Sequence, residues 1–261
     1  MKSKIIVLLI LTVIFSISCD TENNELNEIL KSEDLKFVGI EHNKFLEDTY
    51  NFLNENKNAL RKQSRAINKA SLESFLVDKI NSETKYLEKY NAISINNTRK
   101  VFNNGVRRNS DSEIIESLTD IEQSYLQQLF SLLENYSLND LNTIDRITEL
   151  ENEIENQNLT NNQLLTLYSA TQTAKYSFTY WSENWEEWAS LVDNTGNRRD
   201  YPGIGIIEQD AIGAVAGAAG ALAVNVIVGP GQVAYGGAIV GSAAAFSAAE
   251  AASQFFGWLF E

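Results

Sequence analysis

The chain has 261 residues, a formal net charge of −14, and charged side chains at 21% of its positions. So acidic a protein is repelled by nucleic-acid phosphates and by anionic lipid headgroups, which argues against a nucleic-acid partner and against a cationic membrane-attacking peptide. It has one cysteine and one histidine, too few for an internal disulfide or a zinc site built from those residues, and no cofactor or metal is expected.

The chain opens with Lys2 and Lys4, then an apolar run from Ile5 to Ile17 broken only by Thr12 and Ser16, then Ser18 and Cys19. That run is short for a transmembrane helix, which needs about 20 apolar residues, and has the order of an export signal over residues 1–18. A small residue followed by cysteine at the end of an apolar core resembles the lipobox of bacterial lipoproteins, although Ser16 stands where that family most often has Leu. The resemblance implies that Cys19 is diacylated and becomes the first residue of the mature chain. It also implies a membrane partner through the N-terminal lipid and a place in the cell envelope, at the outer membrane or cell surface. An ordinary secretory signal with an incidental cysteine is the alternative. Removing residues 1–18 takes away two lysines and no acid, so the mature chain is more acidic still. Asp20, Glu22 and Glu25 resemble the acidic surface-export signals of Bacteroidetes lipoproteins, and equally suit a solvated tether over residues 19–36.

Between Cys19 and Tyr201 there is no proline, apolar residues recur at three and four, and strand-like alternation is nowhere sustained. The fold class is therefore all-α, a helical bundle over residues 37–193. A first helix is predicted over His42 to Asn54, with Phe45, Leu46, Tyr50 and Leu53 on one face, and a second over residues 70–91, with Leu72, Phe75, Leu76 and Ile80 facing inward. The Asn-rich residues 92–109 read as a loop. Ser110 and Glu113 have capping-box spacing and open a helix to about Tyr136. Ser137 is placed to cap the next helix, which carries Ile144, Ile147, Leu150 and Ile154. Thr160 and Gln163 form a second capping box, starting a long helix to about Leu191. Short connections imply antiparallel neighbours.

The single histidine lies in Gly39-Ile40-Glu41-His42-Asn43. This Gly-x-x-His-Asn before an amphipathic helix resembles the start of mostly helical Bacteroidetes lipoproteins, and the resemblance carries no assigned activity. His42 and Asn43 are candidates for ligand binding, or for capping the helix and bonding into the bundle. On the long helix, Phe178, Trp181, Trp185 and Trp188 share one face at spacings of three and four. They could line a groove, or they could be core covering the small residues of the C-terminal tail. Gly-x-Ser-x-Gly, phosphate-loop and dinucleotide fingerprints are missing from the sequence, and its many carboxylates read as solvated helix faces. Nothing in the sequence points to an enzyme.

Gly196, Pro202, Gly203 and Gly205 mark a linker over residues 194–206, and the composition then turns Gly- and Ala-rich. Residues 211–228 contain Asn225 as their only strongly polar member, residues 228–232 read as a turn, and residues 233–249 are again uncharged. Gly213, Gly217 and Gly220 recur on one face of the first half, as do Gly237 and Gly241 in the second. Such strips allow two helices to approach closely, so residues 207–261 read as a helical hairpin. It resembles the glycine-zipper segments of two-peptide bacteriocins and membrane-inserting toxins. Three readings follow: a hairpin packed on the bundle, a hairpin that inserts in a membrane, or a strip for self-association with a protein partner. Function is accordingly read as a non-enzymatic binding or interaction lipoprotein, with a membrane-active, toxin-like protein as the alternative.

Overall fold

The computed structural model describes residues 29–83, 92, 95–100, 102, 114–135, 140, 142–191, 205–223 and 236–255. The export signal, Cys19, the capping box at Ser110 and Glu113, Ser137 and the turn at residues 228–232 lie outside the described residues. The fold is all-α, and among the described residues there is no strand. After a 3-10 turn at Ser32–Leu35 come α1 (Lys36–Leu60), α2 (Arg65–Glu83), α3 (Asp120–Asn135), α4 (Asn142–Glu155), α5 (Asn161–Ser190), α6 (Gly205–Ala223) and α7 (Gly236–Phe255).

The long helix α5 is the axis of the molecule. It starts at the expected capping box: Thr160 Oγ1 accepts from Gln163 N at 3.3 Å, and Gln163 Oε1 accepts from Thr160 N at 3.0 Å. These two bonds satisfy backbone donors that a helix start leaves free. Its end is closed from α1, where Lys57 Nζ donates to the carbonyl of Ser190 at 3.3 Å and Arg61 Nη2 to that of Leu191 at 3.1 Å. Cations at the last carbonyls also oppose the negative end of the helix dipole. From Leu164 to Ala174 every residue of α5 is buried, so this stretch is surrounded on all sides rather than laid on a surface.

Around α5 lie two groups of helices. On one side α3 and α4 pack against each other and against α5. On the other, α1, α5, α6 and α7 close into a four-helix unit, because α1 packs on α5, α5 on α6, α6 on α7, and α7 on α1. The Gly/Ala-rich hairpin therefore supplies two of four helices in that unit. Its Ile206, Ile212, Val215, Ile239 and Val240 belong to the same hydrophobic core as Leu46, Leu53 and Trp181. The expected division into a bundle ending at residue 193 and a separate hairpin from 207 is thus a division of composition, not of core.

Several boundaries shift. Leu30 and Leu35 are buried, and Leu30 N donates to Asn161 Oδ1 at 3.0 Å, so the expected tether to residue 36 ends before Leu30. Helix α1 starts at Lys36 rather than His42, because Gly39, a helix-weakening residue in the sequence pattern, is a contact point. A Cβ on Gly39 would lie 2.6 Å from Cγ and 2.7 Å from Cβ of Tyr176 on α5. Residues 95–100, expected in a loop, are helical, and Asn97 Nδ2 donates to Ser242 Oγ of α7 at 2.9 Å. The helix expected from Ser110 breaks at residues 117–119, and α3 restarts on Thr119, whose N and Oγ1 donate to Glu122 Oε2 at 3.0 and 2.6 Å. For α4 the start is fixed by Asp140, whose Oδ1 accepts from Asn142 N at 3.0 Å.

Within the hairpin, Gly213 marks the crossing. A Cβ there would fall 2.7 Å from Ala243 Cα and 2.9 Å from the carbonyl oxygen of Ser242, atoms of a helix backbone that cannot swing aside. Gly217 and Gly241 are buried as well, and Gly220 and Gly237 lie within α6 and α7. Gly213→Ala is expected to lower stability by about 1–3 kcal/mol, against the roughly 1 kcal/mol that alanine gains over glycine in a free helix. Equilibrium denaturation of the two proteins checks this, and an unchanged or raised midpoint would show that the helices are not held at this distance.

Candidate functional site

The residues with most chemical capacity meet inside the four-helix unit. Helix α1 contributes His42 and Asn43, α5 contributes Ser177 and Trp181, and α6 contributes Asp210. His42, Ser177 and Asp210 have no solvent exposure. Asp210 Oδ2 accepts a short hydrogen bond from Ser177 Oγ and a longer one, at 3.4 Å, from Trp181 Nε1. His42 Nε2 stands 3.6 Å from the same oxygen.

The neighbouring bonds fix which atoms carry protons. Asn43 Nδ2 donates to the carbonyl of Tyr176 at 3.0 Å, which leaves Asn43 Oδ1 facing the imidazole, 3.1 Å from Nδ1. A carbonyl oxygen only accepts, so Nδ1 is its donor. His42 Nε2 faces the Asp210 carboxyl at 3.6 Å without a hydrogen bond. Asn43 thus orients the ring, and the ring faces Asp210 across the middle of the unit.

Serine, histidine and aspartate are the residue types of a hydrolytic triad, but the wiring is different. In a triad the imidazole bridges the hydroxyl and the carboxylate. Here Ser177 bonds Asp210 directly, and both His42 and Ser177 converge on one carboxylate oxygen. All three side chains are fully buried, and the hydroxyl bonds the carboxyl with no imidazole between them. The arrangement ties three helices together rather than activating a nucleophile.

That tie is incompletely satisfied. Among the described residues, Asp210 Oδ1 and His42 Nε2 have no hydrogen-bond partner, nor do Ser169 Oγ and Thr173 Oγ1 of α5 or Ser247 Oγ of α7. Ser169, Thr173 and Ser177 follow at intervals of four and so share one face of α5. A buried polar group without a partner costs about 1–3 kcal/mol.

A second polar group, on the other side of α5, centres on Glu151, and among its described atoms Gln172 Oε1 lacks a partner. Glu151 of α4 pairs with Lys175 at 2.7 Å, accepts from Thr171 Oγ1 at 2.7 Å, and accepts from Gln172 Nε2 at 3.0 Å. Gln172 Nε2 also donates to Ser32 Oγ at 2.6 Å, which fastens the N-terminal turn to the bundle.

The expected aromatic stripe is core. Trp181 and Trp188 pack with ring centroids 5.0 Å apart, Tyr50 lies 5.6 Å from Trp188, and Tyr180 meets Trp181 edge-on at 5.4 Å. Trp188 Nε1 donates to Tyr180 Oη at 3.0 Å, and Trp185 is buried beside them. Trp181, Trp185 and Trp188 are thus all withdrawn from the surface. Between α3 and α4 runs an open groove of about 760 Å³, walled by residues such as Ser124, Gln127, Gln128, Arg146 and Glu149. It is a solvated channel between two helices. Among the described residues, no group of three His, Cys, Asp or Glu side chains is placed to hold a metal.

His42, Asn43 and Trp181 are therefore brought together as the sequence allowed, with Ser177 and Asp210 as the partners it did not reveal. Asp210 reads in sequence as a charge at a linker's edge. Its signal is the flanking pattern, Ile206 and Ile207 before it and Ala211 and Ile212 after, which marks an acid embedded in an apolar helix. Comparison with known proteins finds no matching family model, and neither a curated protein nor a solved structure that matches the chain.

Removing His42 takes away the imidazole that faces the buried Asp210 carboxyl and opens a cavity beside it. His42→Ala is expected to cost about 3–5 kcal/mol, whereas the pair His42→Leu with Asp210→Leu recovers most of that, since an apolar pair needs no counter-charge. Denaturant midpoints of the three proteins check the pattern, and equal losses in single and double variants would show that the two side chains do not interact.

A second expectation concerns alkaline pH. Burial, with Glu155 and Glu151 adding to it, pushes the Tyr168 phenol up to about 12. Burial raises Tyr180 further still, partly offset by the Trp188 hydrogen bond. The unfolded chain loses these protons near the reference value of about 10, while the folded state keeps them. The contribution is whole below about pH 10 and declines as pH climbs toward 12. Tyrosinate absorbance of Tyr168→Phe and wild type, followed with helicity, tests this: the buried phenols should ionise only as helicity is lost.

Proposed function

We propose that the chain is a lipid-tethered protein of the bacterial cell envelope that acts by binding a partner rather than by catalysis. The observation that carries the reading is the position of Cys19, the sole cysteine, directly after a small residue at the end of an apolar export-type core. The fold is compatible with a short tether, since Leu30 is already buried and bonded to the start of α5. Catalysis is disfavoured because the groups with chemical capacity, His42, Ser177 and Asp210, are enclosed, with Ser177 bonded to Asp210 and His42 facing it. An acidic body on a lipid anchor is held near, but not flattened against, an anionic membrane surface.

The test is acyl labelling of the full chain expressed in a bacterial host. The wild type is expected to incorporate labelled fatty acid and to partition with membranes, and Cys19→Ala to lose both. Wild-type protein recovered unlabelled from the soluble fraction would sink the reading. Protease treatment of intact cells then separates display on the cell surface from the periplasmic face.

A further inference from the structure

We propose that His42 and Asp210 form a binding site for one internal water molecule, which donates one hydrogen to His42 Nε2 and the other to Asp210 Oδ1. The site joins α1 to α6 through that water, and it is independent of the lipid tether.

The two side chains present matching needs. With Nδ1 donating to Asn43 Oδ1 at 3.1 Å, a neutral imidazole leaves Nε2 as a bare acceptor. On the carboxyl, Oδ2 accepts from Ser177 Oγ and Trp181 Nε1, whereas Oδ1 accepts from nothing in the protein. Both side chains are fully buried, so bulk solvent does not meet either need. Two acceptors held face to face repel each other, and each needs a donor.

None of the bonded neighbours is placed to supply it. Ser177 and Trp181 are directed at Oδ2, and Asn43 Nδ2 is given to the carbonyl of Tyr176. The separation of 3.6 Å between Nε2 and Oδ2 is too long for a direct hydrogen bond and suits two groups bridged from the side by a shared water. A water has two hydrogens, one for each acceptor. Its own oxygen then takes a donor, and α5 offers one: Thr173 Oγ1 is buried, without a partner, and one turn from Ser177 on the same face. Internal waters make about three hydrogen bonds, the number that Nε2, Oδ1 and Thr173 Oγ1 provide. One turn beyond Asp210, α6 carries Gly213 and Ala214, so that helix sets no bulky side chain at the level of Thr173. A metal ion is the other species that gathers lone pairs, but among the described residues no third His, Cys, Asp or Glu joins these two.

His42 is the only histidine, so labelling histidine with nitrogen-15 and carbon-13 in the full chain, held in detergent micelles, gives one imidazole to observe. The ring is expected to carry its proton on Nδ1 and to keep Nε2 bare. Magnetisation is expected to pass from water to the carbon-bound ring protons on either side of Nε2, with the sign of a bound water. Asp210→Leu, which removes one acceptor and fills its space, is expected to abolish that transfer while Nδ1 keeps its proton. Thr173→Val, which leaves both acceptors, is expected to retain the transfer, and its loss there would assign the signal to the threonine hydroxyl and overturn the proposal. A wild-type ring protonated on Nε2 would overturn it too, since Nε2 then donates to Asp210 itself. So would a bare Nε2 without transfer from water, or a transfer that persists in Asp210→Leu. If Asp210→Leu does not fold, the wild-type tautomer and the Thr173→Val transfer decide between the same outcomes.

Discussion

Everything in this fold depends on surrounding α5. A helix of 30 residues buried on all sides from Leu164 to Ala174 cannot be covered by one amphipathic neighbour, since each helix presents a single apolar stripe. Covering it takes helices from both ends of the chain: α1 from the start, α3 and α4 from the middle, α6 and α7 from the tail. That requirement explains why the tail is so rich in glycine and alanine. The bulky residues of the four-helix unit are concentrated on α1 and α5, where Trp181, Trp188, Phe178, Leu46 and Leu53 fill the space. Helices α6 and α7 complement them by being thin, and Gly213 brings their axes close enough to fit.

The same constraint puts polar groups inside. A helix enclosed all round must still carry its sequence, and α5 buries Thr166, Ser169, Thr171, Gln172, Thr173 and Ser177. Toward α4 these groups are matched, because Glu151 accepts from Thr171 and Gln172 and pairs with Lys175. Toward the hairpin they are not, apart from Ser177, and one carboxylate oxygen of Asp210 gathers the available donors. The two sides of the central helix are therefore held by different means. One is a hydrogen-bond network around Glu151 that fixes the N-terminal turn and α4, and the other is packing of small residues punctuated by the node at Asp210.

What the sequence made legible follows from what is local. The start of α5 was readable because Thr160 and Gln163 cap each other within one turn, and its extent because nothing in its composition interrupts it. The class of fold and the close pairing of the hairpin followed from periodicity and from glycines four apart. What stayed hidden is long-range. Gly39 looks like a helix boundary until Tyr176, far along the chain, is placed against it. Thr119 and Glu122 also have capping spacing, but Ser110 and Glu113 offered the same signal earlier, and local chemistry alone does not rank two matches. His42 was visible as the only histidine, yet its role is set by Asp210 on a helix near the other end of the chain, and no spacing rule connects them. The tryptophan stripe was legible as a face, and only the packing of Tyr50 and Tyr180 around it decides that the face looks inward.

A node that joins the first and the penultimate helices carries a consequence for how the chain becomes a body. Neither α1 nor α5 completes its surroundings until α6 and α7 arrive, so contacts of the greatest sequence separation close last. Up to that point the stripe of Trp181, Trp185 and Trp188 and the polar line of Ser169, Thr173 and Ser177 lie open on the same helix. The hairpin can form beforehand, because the seam at Gly213 is internal to it and short in sequence. The node at Asp210 distinguishes the correct register of the hairpin on the bundle from a shift along it. Beside its glycines and alanines the hairpin sets Ile206, Ile212, Val215, Ile239 and Val240 into the shared core, which already resists a slide along the bundle. Setting a single acid against Ser177 and Trp181, facing His42, adds a polar constraint, because every slipped register leaves a buried carboxyl alone.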